Sequence, residues 1–111
     1  MTIRDLIDSK LFSAVNIGDD IERDITRLFC CDLLSIAMSR APSGCAWVTV
    51  MGNMNTLAVA SLCDVACIIL GEGVVLDEIA SVKARQQGIT VFSTDMPVFD
   101  AALALHEQLH A

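Results

Sequence analysis

The residues best suited to chemistry lie near the end of the chain, where His106-Glu107-Gln108-Leu109-His110 reads H-E-x-x-H. On a rigid helix that spacing lets two imidazoles one turn apart bind zinc while the glutamate polarises a water. The chemistry also needs a third ligand, and His106 and His110 are the only two histidines. His110 is the penultimate residue, where helix ends fray. The expectation is a solvated helix end, with no metal site and no cofactor. Two histidines clustered there also argue against histidine acid–base catalysis elsewhere in the chain.

A second constellation is Met51-Gly52-Asn53-Met54-Asn55-Thr56. It follows an apolar run and opens a helical one. Asparagine side chains both donate and accept hydrogen bonds, and the free N–H groups of a helix start attract anions. One of Asn53 and Asn55 suffices as N-cap. The other is then free for a polar ligand or for the same loop of a second chain. No G-x-x-x-x-G-K-[ST] loop and no G-x-G-x-x-G accompanies it. Gly71-Glu72-Gly73 is too short to cradle a phosphate, and Glu72 would repel one. Asp64, at the end of the same helix, faces the wrong pole for an anion. It reads as a solvated or turn-capping carboxylate, or as one partner of an arginine across an interface.

Alternating elements position these residues. Thr2 can cap a helix over 3–10, with Ile3, Leu6 and Ile7 on one face. Leu11–Ile17 reads as a strand, Ile21–Thr26 as a loop or edge segment and Arg27–Cys31 as a second strand. Asp32 is placed to cap a helix over Leu33–Arg40, which Pro42, Ser43 and Gly44 end. Ala46–Val50 is a buried strand, followed by a helix to about Cys63 with Leu57, Ala58, Ser61 and Leu62 at helical spacing. Val65–Leu70 is another strand. Asp77–Gln87 is amphipathic through Leu76, Ile79, Ala80 and Ala84, with Gly88 as its terminating glycine. Ile89–Ser93 is the next strand, and Thr94-Asp95-Met96-Pro97 opens the last helix.

Continuous apolar strands alternating with helices imply an α/β fold in three layers: a mostly parallel sheet with helices on both faces. Crossovers should be right-handed. Ligands of such sheets sit beyond the carboxyl ends of the strands. That rule makes Asp32, Ser35, Asn53, Asn55, Thr56, Thr94 and Asp95 the candidate ligand-binding or dimer-interface residues.

Composition narrows the partners. In 111 residues, apolar types make up 54%, above the usual ~45–50% even counted with glycine. The excess points to a core plus a further buried surface, such as a homodimer interface. Seven basic against 14 acidic residues give a net charge of −7. That disfavours sequence-independent nucleic-acid binding and an anionic membrane surface. The apolar stretch Val48–Leu70 contains Gly52, Asn53, Asn55 and Asp64, so strand, helix and strand explain it better than a membrane span. The start MTIRDLIDSK lacks an apolar signal core. With five cysteines, an odd number, and no C-x-x-C, the expectation is a cytoplasmic protein whose thiols are small core hydrophobes.

Glu22-Arg23-Asp24-Ile25-Thr26-Arg27-Leu28, followed by Phe29-Cys30-Cys31 and Asp32-Leu33-Leu34-Ser35, resembles the DRTGG domain family. That family is named for a D-R-x-x-T-G-G-like segment leading into a strand and a D-L-L-S helix start. Arg23 and Thr26 match, Glu22 stands where Asp is usual, and Arg27 and Leu28 replace the two glycines. The likeness continues through Trp47-Val48-Thr49, Asn55 to Asp64, Ala66 to Leu70 and Gly88 to Asp95. The family occurs beside the catalytic domain of phosphotransacetylases, within some pyrophosphatases and as stand-alone proteins. Its fold is similar to the N-terminal domain of HPr kinase. The resemblance implies a single non-catalytic domain, regulatory or oligomerising, with no catalytic residue to carry over. The readings are a dimeric module sensing a small polar metabolite or nucleotide, a purely structural homodimerisation module, and, third, a small enzyme.

Overall fold

None of the five strands carries a charged residue, and the two at the centre are buried along their whole length. In the computed structural model, which describes residues 1–111, the elements run in the order α1 (Ile3–Ser9), β1 (Ser13–Asn16), β2 (Leu28–Cys30), α2 (Leu34–Arg40), β3 (Ala46–Thr49), α3 (Met54–Cys63), β4 (Cys67–Leu70), α4 (Glu78–Gln87), β5 (Val91–Ser93) and α5 (Val98–Leu109). The sheet order is β1-β5-β4-β3-β2. β2 to β5 are parallel, while β1 closes one edge antiparallel to β5 with an irregularity between Ala14 and Asn16. This is the expected mostly parallel sheet.

Successive strand side chains point to opposite faces, and the core divides accordingly. Ala46, Val48, Cys67, Ile69 and Phe92 face Ile3 and Leu6 of α1 and Ala101, Ala102 and Leu105 of α5. Trp47, Ile68, Leu70 and Val91 face Ala37 of α2, Leu57, Val59 and Ala60 of α3, and Ala80 and Ala84 of α4. The result is three layers: α1 and α5, the sheet, and α2, α3 and α4. Helices 2 to 4 share one face because each connects neighbouring parallel strands in the same direction.

Local chemistry fixes the helix ends. Thr2 and Asp5 form a reciprocal capping box on α1. The Asp77 carboxylate accepts from Ala80 N at 2.8 Å to start α4. Gly88 ends α4 with φ 65, and a Cβ there would fall 2.4 Å from the Asp19 carboxylate.

Several expectations are corrected. The strands expected over Leu11–Ile17, Val65–Leu70 and Ile89–Ser93 are shorter; Val65 and Ala66 are buried, but Ala66 N donates to Cys45 O outside the ladder. Asp32 does not cap α2. Its N-cap position is Leu33, with no side-chain cap, because the Asp32 carboxylate is engaged at the end of β3. On α3 the buried face is Thr56, Leu57, Val59 and Ala60, so Ala58, Ser61 and Leu62, expected with Leu57, point outward. On α4, Ala80 and Ala84 lie against the sheet, whereas Ile79 is 67% exposed. No helix is long and apolar enough to cross a membrane, and Val48–Leu70 holds the end of β3, all of α3, and β4.

Candidate functional site: the carboxyl edge and the outer helix layer

The loops beyond the carboxyl ends of the parallel strands are stitched to one another. Asp32, just after β2, accepts from the buried Thr49 hydroxyl at 2.8 Å and from Val50 N at 3.1 Å. Trp47 Nε1 donates to Cys31 O at 2.9 Å. Gly52 O accepts from Asp77 N at 3.1 Å, tying the start of α3 to the start of α4. Gly73 N donates to Thr94 O at 3.0 Å and Glu72 N to Met96 O at 2.8 Å. The Thr94 hydroxyl accepts from Met96 N at 3.2 Å. Asp95 lies against this same turn, its carboxylate 3.2 Å from the position a Cβ on Gly73 would take.

Asn53 is the N-cap of α3, its side-chain oxygen accepting from Thr56 N at 3.2 Å. Asn55, in the first turn, is exposed. Thr56 is buried, and its hydroxyl has no hydrogen-bond partner. Ser35 is exposed on the first turn of α2, where its carbonyl accepts from Ser39 Oγ at 3.3 Å. The structure thus brings Asp32 to the end of β3 and Thr94 and Asp95 to the β4–α4 turn. Ser35 and Asn55 stand apart on the outer helix layer.

A cleft lies at the opposite edge. It measures about 170 Å³ and is lined by Arg23, Asp64, Asp20, Ser61, Gly88 and Thr90 among others. Arg23 donates from Nη1 and Nη2 to the two Asp64 carboxylate oxygens, both at 2.9 Å, and from Nη2 to the Asp64 carbonyl at 2.7 Å. Ser43 Oγ adds a 2.7 Å bond to the same carboxylate. The Arg23 guanidinium first, then the Ser43 hydroxyl, holds the Asp64 carboxyl below the usual carboxylate range. Asp64 adopts the left-handed conformation, φ 60, that ends α3. Its arginine partner therefore comes from its own chain and clips the 21–26 segment to the α3–β4 turn. Sequence reasoning weighed an arginine for Asp64 and singled out Arg23 separately; it did not join them, because 41 residues separate the two.

The cysteines do not share one environment. Cys45 and Cys67 are buried, Cys31 and Cys63 half-buried, and Cys30 exposed. Only the first two therefore fit the expectation of core hydrophobes. Burial pushes the Cys45 thiol up to about 11 and the Cys67 thiol to about 12. At neutral pH both are protonated and poor nucleophiles. His106 and His110 lie one turn apart at the end of α5 with ring centroids 4.3 Å apart. No third histidine, cysteine, aspartate or glutamate joins them.

Leu62 and Ile79, expected on buried helix faces, belong instead to the outer surface of α2, α3 and α4. Ile36 and Met38 of α2, Met54 and Leu62 of α3, and Ile79 and Val82 of α4 are all exposed there. Leu62 is 70% and Val75, just before α4, is 75% exposed. A shallow groove of about 390 Å³ runs along this surface between Met54 and the Ile79, Val82 and Lys83 row of α4. The signal was present in the sequence: Met54–Cys63 contains no charged residue at all.

Architecture and edge together define a three-layer α/β domain with a tightly stitched carboxyl edge and an apolar outer helix layer. No family model and no curated protein matches the chain.

Proposed function

We propose that this chain is a non-catalytic oligomerisation and regulatory domain, which works by docking the outer layer of α2, α3 and α4 onto a second copy of itself. The observation that carries this reading is α3: ten residues without a charge, with Met54, Ala58 and Leu62 facing water on a lone chain. Asn55 and Ser61 are the only polar side chains on that exposed side, and neither is charged. The sheet covers the other side of α3, and an uncharged outer face of this kind suits a partner better than water. The 54% apolar composition and the similarity to DRTGG domains fit the same reading. A catalytic reading has less support, since the candidate polar residues Asp32, Asn53 and Thr94 are used in bonds that hold the loops.

The test is Leu62→Glu, compared with wild type by sedimentation equilibrium. An exposed position tolerates the change within about ±0.5 kcal/mol of fold stability, so circular dichroism and melting at low concentration should barely move. The dimer dissociation constant should rise at least tenfold. A monomeric wild type, or a variant that dimerises as well as wild type, overturns the proposal.

A further inference from the structure

We infer that the second copy docks antiparallel along α4, about a two-fold axis level with Ser81, with Glu78 of each chain set against Arg85 of the other. This rests on the docking reading above and names its partner geometry.

Three observations carry it. The exposed stripe of α4 is Ile79, Val82 and Gln86, extended by Val75 just before the helix. Within the helix, spacings of 3 and 4 residues make Ile79, Val82 and Gln86 a seam of the kind that packs helix against helix. Glu78 and Arg85, both exposed, stand seven residues apart, two turns along the same flank of that stripe. An antiparallel pair centred near Ser81 brings Ile79 opposite Val82 of the partner copy and lays the acidic first turn of each α4 along the basic last turn of the other. Two-fold symmetry makes each contact twice.

The third observation is the position of α3. It lies beside α4 in the same layer and runs in the same direction, since both connect neighbouring parallel strands. A two-fold axis perpendicular to the helices stacks α4 on α4 and α3 on α3 together. Met54 of one chain then approaches the Leu62 end of the other, with the small Ala58 at the centre. A parallel pair of α4 helices would throw the two α3 helices to opposite sides and leave their uncharged faces in water. It would also set Glu78 against Lys83, on the other flank, rather than against Arg85. Charge reversal can therefore tell the two arrangements apart.

The experiment measures the dimer dissociation constant at low salt, where rim charges are least screened, for wild type and three variants. Glu78→Arg faces Arg85 with a like charge twice per dimer, and the constant should rise about tenfold. Glu78→Arg with Arg85→Glu restores the pair and should return the constant to within about threefold of wild type. Glu78→Arg with Lys83→Glu, which would rescue a parallel pair, should not. Rescue by Lys83→Glu alone, or no response to Glu78→Arg, overturns the antiparallel geometry. If Leu62→Glu still weakens that dimer, the docking reading survives; a monomeric wild type removes both.

Discussion

Substituting the two asparagines of the β3–α3 loop separately should produce effects that differ in kind. Asn53 is the N-cap, and its side-chain oxygen satisfies Thr56 N at 3.2 Å. Asn53→Ala removes that acceptor and leaves Thr56 N only its 3.1 Å bond to the Asn53 carbonyl. Losing such a cap costs about 1 kcal/mol, or a fall in Tm of roughly 4–6 °C for a domain of this size. Asn55 sits two residues on, exposed, at a helical position where alanine is the better helix former. Asn55→Ala should leave the monomer as stable as wild type, or raise stability by a few tenths of a kcal/mol. It lies on the outer layer, however, so the dimer should weaken. Calorimetric melts at one low, matched protein concentration read the first effect, and sedimentation at several concentrations reads the second. If both substitutions lower Tm by similar amounts with association unchanged, the loop is a helix cap and nothing more, and its assignment to the interface is wrong.

Three further outcomes follow from the geometry. Asp32→Ala strips the buried Thr49 hydroxyl and Val50 N of their acceptor and should cost about 1–3 kcal/mol in urea unfolding; a loss below about 0.5 kcal/mol would show the contact to be incidental. Arg23 and Ser43 lower the Asp64 carboxyl below 3.8, so the stability it contributes is present above the unfolded value and is lost as pH falls through the folded one. Because the carboxylate is 64% exposed, solvent screening keeps the effect small; the stability gap between wild type and Arg23→Gln should narrow below about pH 3.8, and a gap that is flat from pH 7 to 2 would refute the ion pair as its source. Iodoacetamide at pH 7 should label the exposed Cys30 on the native protein, slowly because partial burial and then Asp32 raise its thiol pKa, while the buried Cys45 and Cys67 react only in denaturant; native labelling of Cys67 at the denatured rate would contradict its placement.

The elements that were legible in the sequence are those where several local signals agree. Asp77 before the helix and Gly88 after it marked α4, and Thr2 marked α1. Cys67-Ile68-Ile69-Leu70 could only be a strand buried on both faces. What misled is uniformity. In α3 every face is apolar or neutral, so periodicity could not choose the inner one, and Leu62 was placed inside. In α4 the periodicity sets Ile79 on the buried face with Leu76, Ala80 and Ala84, yet close approach to the sheet admits the two small alanines there and leaves Ile79 outside. Asp32 stands immediately before a helical run and carries the right side chain for a cap. A buried threonine at the end of the neighbouring strand is the stronger claimant, because an unpaired buried hydroxyl is costlier than an exposed helix end left to water. Such competition is non-local and leaves no trace in spacing. The same holds for Arg23 and Asp64.

Small-angle X-ray scattering of the wild-type chain tests the central claim most directly, since it reads mass and shape together. Docking through the outer helix layer predicts twice the 11.9 kDa chain mass. It also predicts a radius of gyration of about 17 Å, as expected for two bodies of 12.2 Å whose centres stand one short axis, about 25 Å, apart. Dilution or Leu62→Glu should move both values toward the single chain. A particle of 11.9 kDa with a radius near 12.2 Å at every concentration would contradict the account.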